Sequence, residues 1–192
     1  MGHAADQVPI TADRFITWDA TQSSRHAFVA GEIFAMAGAE DRHVTVALNV
    51  AFALRQQPAG SPCRVFMSDM KLRIAAADCD FYPDVMVTCG SADRRSPNIK
   101  SEAKLVVAAL SGSTAAFDRG DKFAAYRQLP TLEENGVVDI DFRRADLYRT
   151  GSDGLWVLHP SEAGQSMVLA SVAVEISAAQ LLAAIDADPF EG

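Results

Sequence analysis

Two apolar stretches of strand length, residues 82–88 and 104–110, constrain the fold of this chain more than any other feature. Both are nearly continuous in apolar residues, which is typical of strands that are buried on both faces inside a sheet. A helical pattern follows at residues 115–129 and ends at Pro130, because proline cannot continue a helix. Strands and helices mixed in this way predict an α/β (α+β) layered fold, with a mixed central β-sheet flanked by helices.

The rest of the chain carries the same two periodicities. Further helices are predicted at residues 11–18, 41–57 and 178–185, and further strands at 64–67, 70–75, 137–139, 145–149, 155–158 and 167–173. Residues 25–37 predict a hairpin that turns at Ala30 and Gly31, and the polar residues 90–102 predict a loop. Without an internal repeat or a linker, the 192 residues predict one domain that spans 1–192.

The formal net charge of −8 argues against a protein that coats nucleic acid, because such binding grows with the number of basic contacts. An enzyme that meets DNA through a local basic patch is compatible with that charge. No apolar run approaches the roughly 20 residues of a membrane span, and the first residues lack the pattern of a secretory signal. The sequence therefore predicts a cytoplasmic protein with no membrane partner.

The cysteines and histidines form no recognisable metal-binding or disulfide pattern. The three cysteines are odd in number and lack a CxxC pair, which predicts reduced, packed thiols; they are Cys63, Cys79 and Cys89. The four histidines are scattered; they are His3, His26, His43 and His159. The sequence also lacks glycine-rich phosphate-binding motifs and GxSxG, so nothing indicates a nucleotide cofactor or an acyl-enzyme.

Asp84 stands at the start of the first apolar stretch, directly after Pro83, which fixes the entry to the strand. Asp118, Lys122 and Tyr126 recur at i, i+4 and i+8 and therefore share one helix face. A divalent metal that activates water against a phosphodiester takes carboxylate ligands, and a nearby lysine offsets charge on the phosphate. The pattern indicates metal-assisted phosphodiester hydrolysis. The alternative is an exposed Asp118–Lys122 pair that contributes about 0.3 kcal/mol.

Two further positions leave alternatives open. Glu32 follows the predicted hairpin turn and is either a site residue or a surface charge of the hairpin. Ser111, Ser113 and Thr114 precede the helix at 115–129, and we predict that they cap it rather than bind phosphate, because serine and threonine are ordinary N-caps.

In these stretches the chain resembles the Uma2 family, a group within the PD-(D/E)XK restriction-endonuclease-like superfamily. The resemblance covers about residues 11–173, and its order and spacing are specific. It rests on residues 29–33, 36–39, 43, 82–85, 105–107, 110–111, 113–114, 118–119, 122 and 126. It implies a restriction-endonuclease-like core and a metal-dependent nuclease-like site, with the lysine on the helix after the strand rather than on the strand.

Carried over residue by residue, the resemblance implies that Asp84 is the metal-binding aspartate, Lys122 the site lysine and Glu32 the early glutamate. A backbone carbonyl at Ala109 would complete the metal shell. The second metal carboxylate of the family falls at position 108, where this chain has Ala108.

A methyl group cannot bind a metal, so the resemblance implies weak or absent binding of Mg²⁺ or Mn²⁺ and a poor or inactive nuclease. Glu102, Asp69 and Glu32 are alternative sources of the missing oxygen.

Three hypotheses of function follow. The first is a metal-dependent endonuclease that acts on DNA, with Asp84, Lys122 and Glu32 at its centre. The second is a catalytically inactive member of the family that binds nucleic acid or another protein. The third is that Asp84 and Lys122 only form an ion pair inside a globular fold. The oligomeric state stays open, and an apolar edge of the hairpin at residues 25–37 could pair across a homodimer.

Overall fold

The computed structural model of the protein describes residues 10–36, 38–56, 61–110 and 115–186. Within these residues a five-stranded and a six-stranded sheet are flanked by helices, which confirms the predicted mixed fold. The helices are α1 (Ala12–Asp19), α2 (Asp41–Arg55), α3 (Ser91–Arg95), α4 (Ala115–Phe117), α5 (Phe123–Tyr126) and α6 (Ala178–Leu181). None of the helices in the described residues is long and apolar enough to span a membrane.

The strands divide between these two sheets and a small two-stranded one. They are β1 (His26–Val29), β2 (Glu32–Ala35), β3 (Arg64–Met67), β4 (Lys71–Ile74), β5 (Cys79–Phe81), β6 (Val85–Thr88), β7 (Ile99–Lys100), β8 (Ala103–Ala109), β9 (Glu134–Asp139), β10 (Arg144–Thr150), β11 (Trp156–Ser161), β12 (Met167–Leu169) and β13 (Val174–Ile176).

The five-stranded sheet has the order β2-β1-β5-β4-β7 and contains the predicted hairpin. β1 and β2 pair antiparallel, and Ala30 and Gly31 between them have φ angles of 48° and 94°. Positive φ at two successive residues is typical of a two-residue hairpin turn, because the twist of such a turn matches the twist of the strands on either side. β2 is one of the two edge strands of this sheet, and β7 is the other.

The six-stranded sheet has the order β11-β10-β9-β8-β6-β3. β6 lies antiparallel to β3 and β8, while β8 and β9 are parallel. Both faces of this sheet are covered by a hydrophobic core. Val85 and Val107 pack with Val50 of α2 on one face, and Val106 packs with Tyr126 of α5 on the other. This double burial explains the near-continuous apolar sequence of the central strands.

The stretch 90–102 contains α3 and β7, so the prediction of a plain loop is wrong. The buried Asp93 carboxylate accepts hydrogen bonds from the backbone N–H groups of Ser101 and Glu102, at 2.8 and 3.0 Å. The buried Lys100 amine donates to the carbonyl oxygens of Asp93 and Ser96. Asp93 and Lys100 are therefore buried and hydrogen-bonded within this stretch. A polar composition alone does not predict that a segment is exposed.

Several other boundaries differ from the prediction. The strand predicted at 82–88 begins only at Val85, and β5 and β13 were not predicted. The helix predicted at 115–129 comprises α4, a π-helical segment at Asp118–Lys122, and α5, which ends at Tyr126. The predicted caps Ser111, Ser113 and Thr114 lie outside the described residues.

Cys63 and Cys89 form a disulfide, with their Cα atoms 4.0 Å apart. They adjoin Arg64 and Thr88, a pair of the antiparallel β3–β6 ladder, so the register sets the two cysteines opposite each other. The prediction of reduced thiols is therefore wrong for this pair, because only strand pairing brings the two residues together. Cys79 is free and buried, as predicted.

Candidate functional site

Asp84 lies just before β6, opposite position 108 of β8. The antiparallel ladder pairs Val85 with Val107, so the next step of the register sets Asp84 against Ala108. Alternate residues of a strand share a face of the sheet, and Ala108 therefore lies on the same face as Val106. Helices α4 and α5 pack against that face. A glutamate at position 108 would consequently stand beside Asp84.

Pro83 leaves the backbone carbonyl of Ala109 without a ladder partner on β6. The Ala109 N–H donates a hydrogen bond of 2.9 Å to Oδ2 of Asp84. The N–H and C=O of one strand residue point to the same neighbouring strand, so the Ala109 carbonyl is directed to the same side. In a continuous ladder this carbonyl would accept from residue 83, but proline has no N–H to donate. Strand geometry thus directs the Ala109 carbonyl toward the segment of Pro83 and Asp84, where Pro83 offers it no N–H.

His43, in the first turn of α2, contacts the other oxygen of the same carboxylate. Its Nε2 lies 3.1 Å from Oδ1 of Asp84. This hydrogen bond raises the pKa of His43 above its ordinary value; burial opposes the increase, and the charge of Asp118 adds to it. The Nδ1 atom of His43 is buried and has no hydrogen-bond partner among the described residues. The arrangement favours a protonated imidazole that is paired with Asp84.

Asp118 and Lys122 form an ion pair of 2.7 Å across one turn of the π-helical segment. Their side chains are 5% and 18% exposed, so the alternative of an exposed surface pair is wrong. The Lys122 amine also lies 6.0 Å from the ring centroid of Phe81 and 5.7 Å from that of Phe117. Single π-helical turns inside helices are frequent at functional sites.

We call His43, Asp84, Asp118 and Lys122 the polar cluster, because their charges act on common neighbours. Asp84, Asp118 and Lys122 all influence the pKa of His43. Burial raises the pKa of Tyr126 well above its ordinary value, and the charges of Asp118 and Asp84 raise it further. The structure therefore brings the predicted residues Asp84 and Lys122 into one cluster, with Lys122 bonded to Asp118 rather than to Asp84.

The other candidate acids, Glu32, Asp69 and Glu102, have surroundings that differ from those of the polar cluster. Glu32 is exposed and pairs with Val29 across the hairpin, and within the described residues no hydrogen bond or ion pair joins it to the polar cluster. Asp69 is almost fully exposed and pairs with Arg25 at 2.9 Å. Glu102 precedes β8 at the end opposite to Ala109. These placements give no support to a substitute oxygen beside position 108.

The polar cluster does not fit a divalent metal in its present arrangement. Oδ1 of Asp84 is engaged by His43 and Oδ2 by the Ala109 N–H. Ala108 offers no oxygen ligand, and the positive charge of Lys122 acts on the same cluster. In the described part of the chain, no group of three or more His, Cys, Asp or Glu side chains is arranged to hold a metal ion. Mg²⁺ needs charged oxygen ligands because it dehydrates reluctantly.

The sequence predicted no role for His43, although His43 is one of the residues that carry the family resemblance. Its position in the first turn of a predicted helix was the only local signal, and the contact with Asp84 joins two distant segments. Asp118 was predicted to share a helix face with Lys122 and Tyr126 and to belong to the family pattern, but not to be buried. Its burial follows from the packing of α4 and α5 on the sheet.

Comparisons with known proteins agree with this architecture. The model of the Uma2 family, described as "Putative restriction endonuclease", matches residues 12–183. Two uncharacterized proteins of Synechocystis sp. (strain ATCC 27184 / PCC 6803 / Kazusa) are similar to the chain. Slr1290 is 30% identical over 168 residues, 88% of each chain, and sll1609 is 31% identical over 151 residues, 78% of this chain and 85% of that protein.

A solved structure shows the same fold. It is the crystal structure of "a putative nuclease belonging to DUF820" from Anabaena variabilis ATCC 29413, which superposes with a TM-score of 0.74. The superposition covers 91% of this chain and 98% of that chain, at 15% sequence identity. At this identity the likeness concerns the fold and not the identity of individual site residues.

Proposed function

The chain belongs to the Uma2 family of restriction-endonuclease-like proteins, and from this premise we propose that it is a nuclease of DNA whose divalent-metal-dependent hydrolysis is impaired by Ala108. The observation that carries the proposal is the register of β6 and β8, which sets a methyl group opposite Asp84. In a competent site of this kind, a bound Mg²⁺ or Mn²⁺ would activate water and neutralise charge on the phosphate.

Few oxygen atoms of the polar cluster are left to bind a metal ion. Asp84 supplies one carboxylate, and we propose the Ala109 carbonyl as a second ligand, because the Ala109 N–H donates to Asp84 and Pro83 has no N–H to occupy that carbonyl. The Asp84 carboxylate is already bonded to His43 and the Asp118 carboxylate to Lys122, so little free charge is left for a cation. We therefore expect weak binding of Mg²⁺ or Mn²⁺ and slow cleavage.

The two cationic side chains of the polar cluster are suited to binding a phosphate group of DNA. Lys122 and His43 both belong to the polar cluster, and Lys122 and a protonated His43 each donate charge-assisted hydrogen bonds of the kind that phosphate oxygens accept. In the unbound protein these cations are paired with Asp118 and Asp84. Lys122 would position DNA and offset charge that develops on the phosphate. We propose Glu32 as a site acid on the family pattern alone, because within the described residues no hydrogen bond or ion pair joins it to the polar cluster. A cytoplasmic location, where DNA is accessible, goes with this proposal.

The decisive experiment restores the missing carboxylate. We expect Ala108→Glu to bind Mn²⁺ at least about tenfold more tightly than the natural chain, a gain of ~1.4 kcal/mol or more. We also expect the variant to nick supercoiled plasmid in Mg²⁺ or Mn²⁺. Ala108→Gln is the matched control, since it adds nearly the same volume without a charge. Asp84→Asn in the Ala108→Glu background should abolish cleavage again.

Two outcomes would contradict the proposal. If Ala108→Glu binds the metal and still leaves plasmid and single-stranded DNA intact, the chain is not a nuclease. If the natural chain cleaves as fast as Ala108→Glu, the impairment by Ala108 is refuted. Thermal unfolding of each variant shows whether the longer side chain at 108 is tolerated.

A second candidate function is binding of nucleic acid without hydrolysis. The observation that favours it is the conjunction of Ala108 with a retained pair of cations, His43 and Lys122. It predicts DNA affinity that falls steeply with salt and no turnover in the natural chain. Fluorescence anisotropy with labelled DNA at low and moderate salt measures this dependence. Absence of binding at low salt would leave only a protein partner for an inactive chain.

A further inference from the structure

Helix α2 presents an apolar stripe to solvent on the side opposite to the core. Val44, Leu48 and Phe52 are 50%, 55% and 65% exposed, and they recur at i, i+4 and i+8 along one face. Val46, Val50 and Leu54 on the other side of the helix are buried in the core of the six-stranded sheet. Scattered single apolar residues are normal on a surface, but three in register on one helix face form a continuous contact surface.

The charges at the two ends of this stripe are arranged symmetrically. All fifteen residues of α2 are described, and five of them are exposed: Asp41, Val44, Leu48, Phe52 and Arg55. Leu48 is the central residue of the helix. Val44 and Phe52 stand four residues before and after it, and Asp41 and Arg55 stand seven residues before and after it. The exposed face therefore has an acid at one end, a base at the other, and apolar residues between them.

We propose that this face is the contact surface of a homodimer, in which α2 packs antiparallel on α2 of a second copy about a two-fold axis at Leu48. Such an axis sets Leu48 on the partner's Leu48 and Val44 on the partner's Phe52. It also sets Asp41 beside the partner's Arg55, twice by symmetry. An isologous interface needs a patch that is complementary to itself when rotated, and this face meets that requirement in both charge and size.

The charges also select the direction of packing. A parallel arrangement would place acid on acid and base on base, and like charges in contact are unfavourable. The antiparallel arrangement converts both contacts into attractive pairs. This self-complementarity favours a second copy of the chain over an unrelated protein. The dimer differs from one formed through the β2 edge of the hairpin, because it uses side chains of a helix and no backbone pairing.

The stripe is small, so the dimer should be weak. One helix face on each copy gives an interface at the lower end of specific contacts, for which we expect a dissociation constant in the micromolar range. Sedimentation velocity across a concentration series of the full chain measures this constant. We expect a shift from monomer to dimer within the series. A chain that stays monomeric at the highest concentration refutes the proposal.

Two sets of variants locate the surface. Leu48→Glu sets two carboxylates together at the axis and should abolish the dimer. Val168→Glu is the matched control, because Val168 is similarly exposed, at 45%, but lies on β12. A dimer that survives Leu48→Glu would overturn the proposal and leave another surface, such as the β2 edge. Unchanged thermal unfolding of each variant confirms that the fold is retained.

A charge exchange tests the direction of packing. Asp41→Lys and Arg55→Glu each create two repulsive contacts, and each should weaken dimerisation at least about tenfold. The double variant restores opposite charges across the axis and should recover the natural dissociation constant. Failure of the double variant to recover it would overturn the antiparallel arrangement. None of these residues belongs to the polar cluster, so the result is independent of the proposed nuclease function.

Discussion

The buried carboxylate of Asp19 fixes the segment that leads into the candidate site. Its Oδ2 accepts hydrogen bonds from the Tyr82 hydroxyl at 2.6 Å and from the Lys71 amine at 2.8 Å. Its Oδ1 lies 3.1 Å from Nδ1 of His26. Tyr82 is two residues before Asp84, so this network ties α1 and β4 to the segment that carries the site carboxylate.

The lowered pKa of Asp19 makes the free energy of unfolding depend on pH. Burial raises the pKa of the Asp19 carboxyl, but hydrogen bonds from Lys71, Tyr82 and His26 outweigh it and lower the pKa below the ordinary 3.8. The resulting stability is fully present above pH 3.8 and is lost as the pH falls through the lowered pKa. We expect Asp19→Asn to reduce the free energy of unfolding by about 3 kcal/mol at neutral pH, because Lys71 is left buried without its counter-ion.

Urea unfolding of the natural chain and of Asp19→Asn across the acid range measures this effect. The difference between the two proteins should shrink as the pH falls below the ordinary carboxyl value. Asp13→Asn is the matched control on the same helix, since Asp13 is exposed and should change stability by at most about 0.5 kcal/mol. Equal stability of Asp19→Asn and the natural chain at neutral pH would refute the structural role of Asp19.

At the scale of elements, the pairing of β3 with β6 is fixed by a covalent bond. The disulfide joins Cys63 to Cys89 across a separation of 26 residues, directly beyond the last ladder pair. β3 is an edge strand of the six-stranded sheet, and β6 leads from Asp84 into the centre of that sheet. The bond therefore secures the edge strand β3 at the end of β6 opposite to Asp84. In a reducing compartment the same pair would be a dithiol.

Reduction should destabilise the protein by an amount set by the loop that the bond closes. Chain entropy gives about 3.5 kcal/mol for a loop of this length. We expect a reductant to lower the melting temperature of the natural chain and to leave the double variant Cys63→Ser/Cys89→Ser unchanged. Cys79→Ala should keep the sensitivity to reductant. Alkylation of all three cysteines in unfolded, unreduced protein would show that the bond does not form.

The whole molecule is built around the six-stranded sheet, which has a core on each face. One core joins α2 and α6 to the sheet, and the other joins the five-stranded sheet, α4 and α5 to it. The central strands β6 and β8 contribute to both cores, so loss of either core exposes the same strands. The polar cluster lies where α2 from one side and the π-helical segment from the other approach the start of β6.

This arrangement bears on the prediction that residues 1–192 form one domain. Because β6 and β8 are shared, we expect one cooperative unfolding transition, with fluorescence and far-ultraviolet circular dichroism giving the same midpoint. The natural chain contains Trp18 near the five-stranded sheet and Trp156 on β11, so fluorescence reports on both regions. Two separate transitions would divide the chain into more than one unit.

The sequence by itself determined the features that depend on local periodicity. The helix at α2, the hairpin at Ala30 and Gly31, and the strand at β8 each follow from residue spacing within a short window. The family pattern identified Asp84, Lys122 and Ala108 because it combines residue type with order along the chain. The extent of α5 and the presence of β5 were less accessible, since short elements carry too few residues for a period.

Only the tertiary structure decided which residues meet. The contact of His43 with Asp84, the burial of the Asp118–Lys122 pair and the bond between Cys63 and Cys89 each join groups through packing or strand register. Such contacts depend on how distant segments are placed in space, and a local pattern of residues does not encode them. The same holds for the exposed face of α2: spacing predicts an amphipathic helix, but the fold decides which apolar residues remain outside the core.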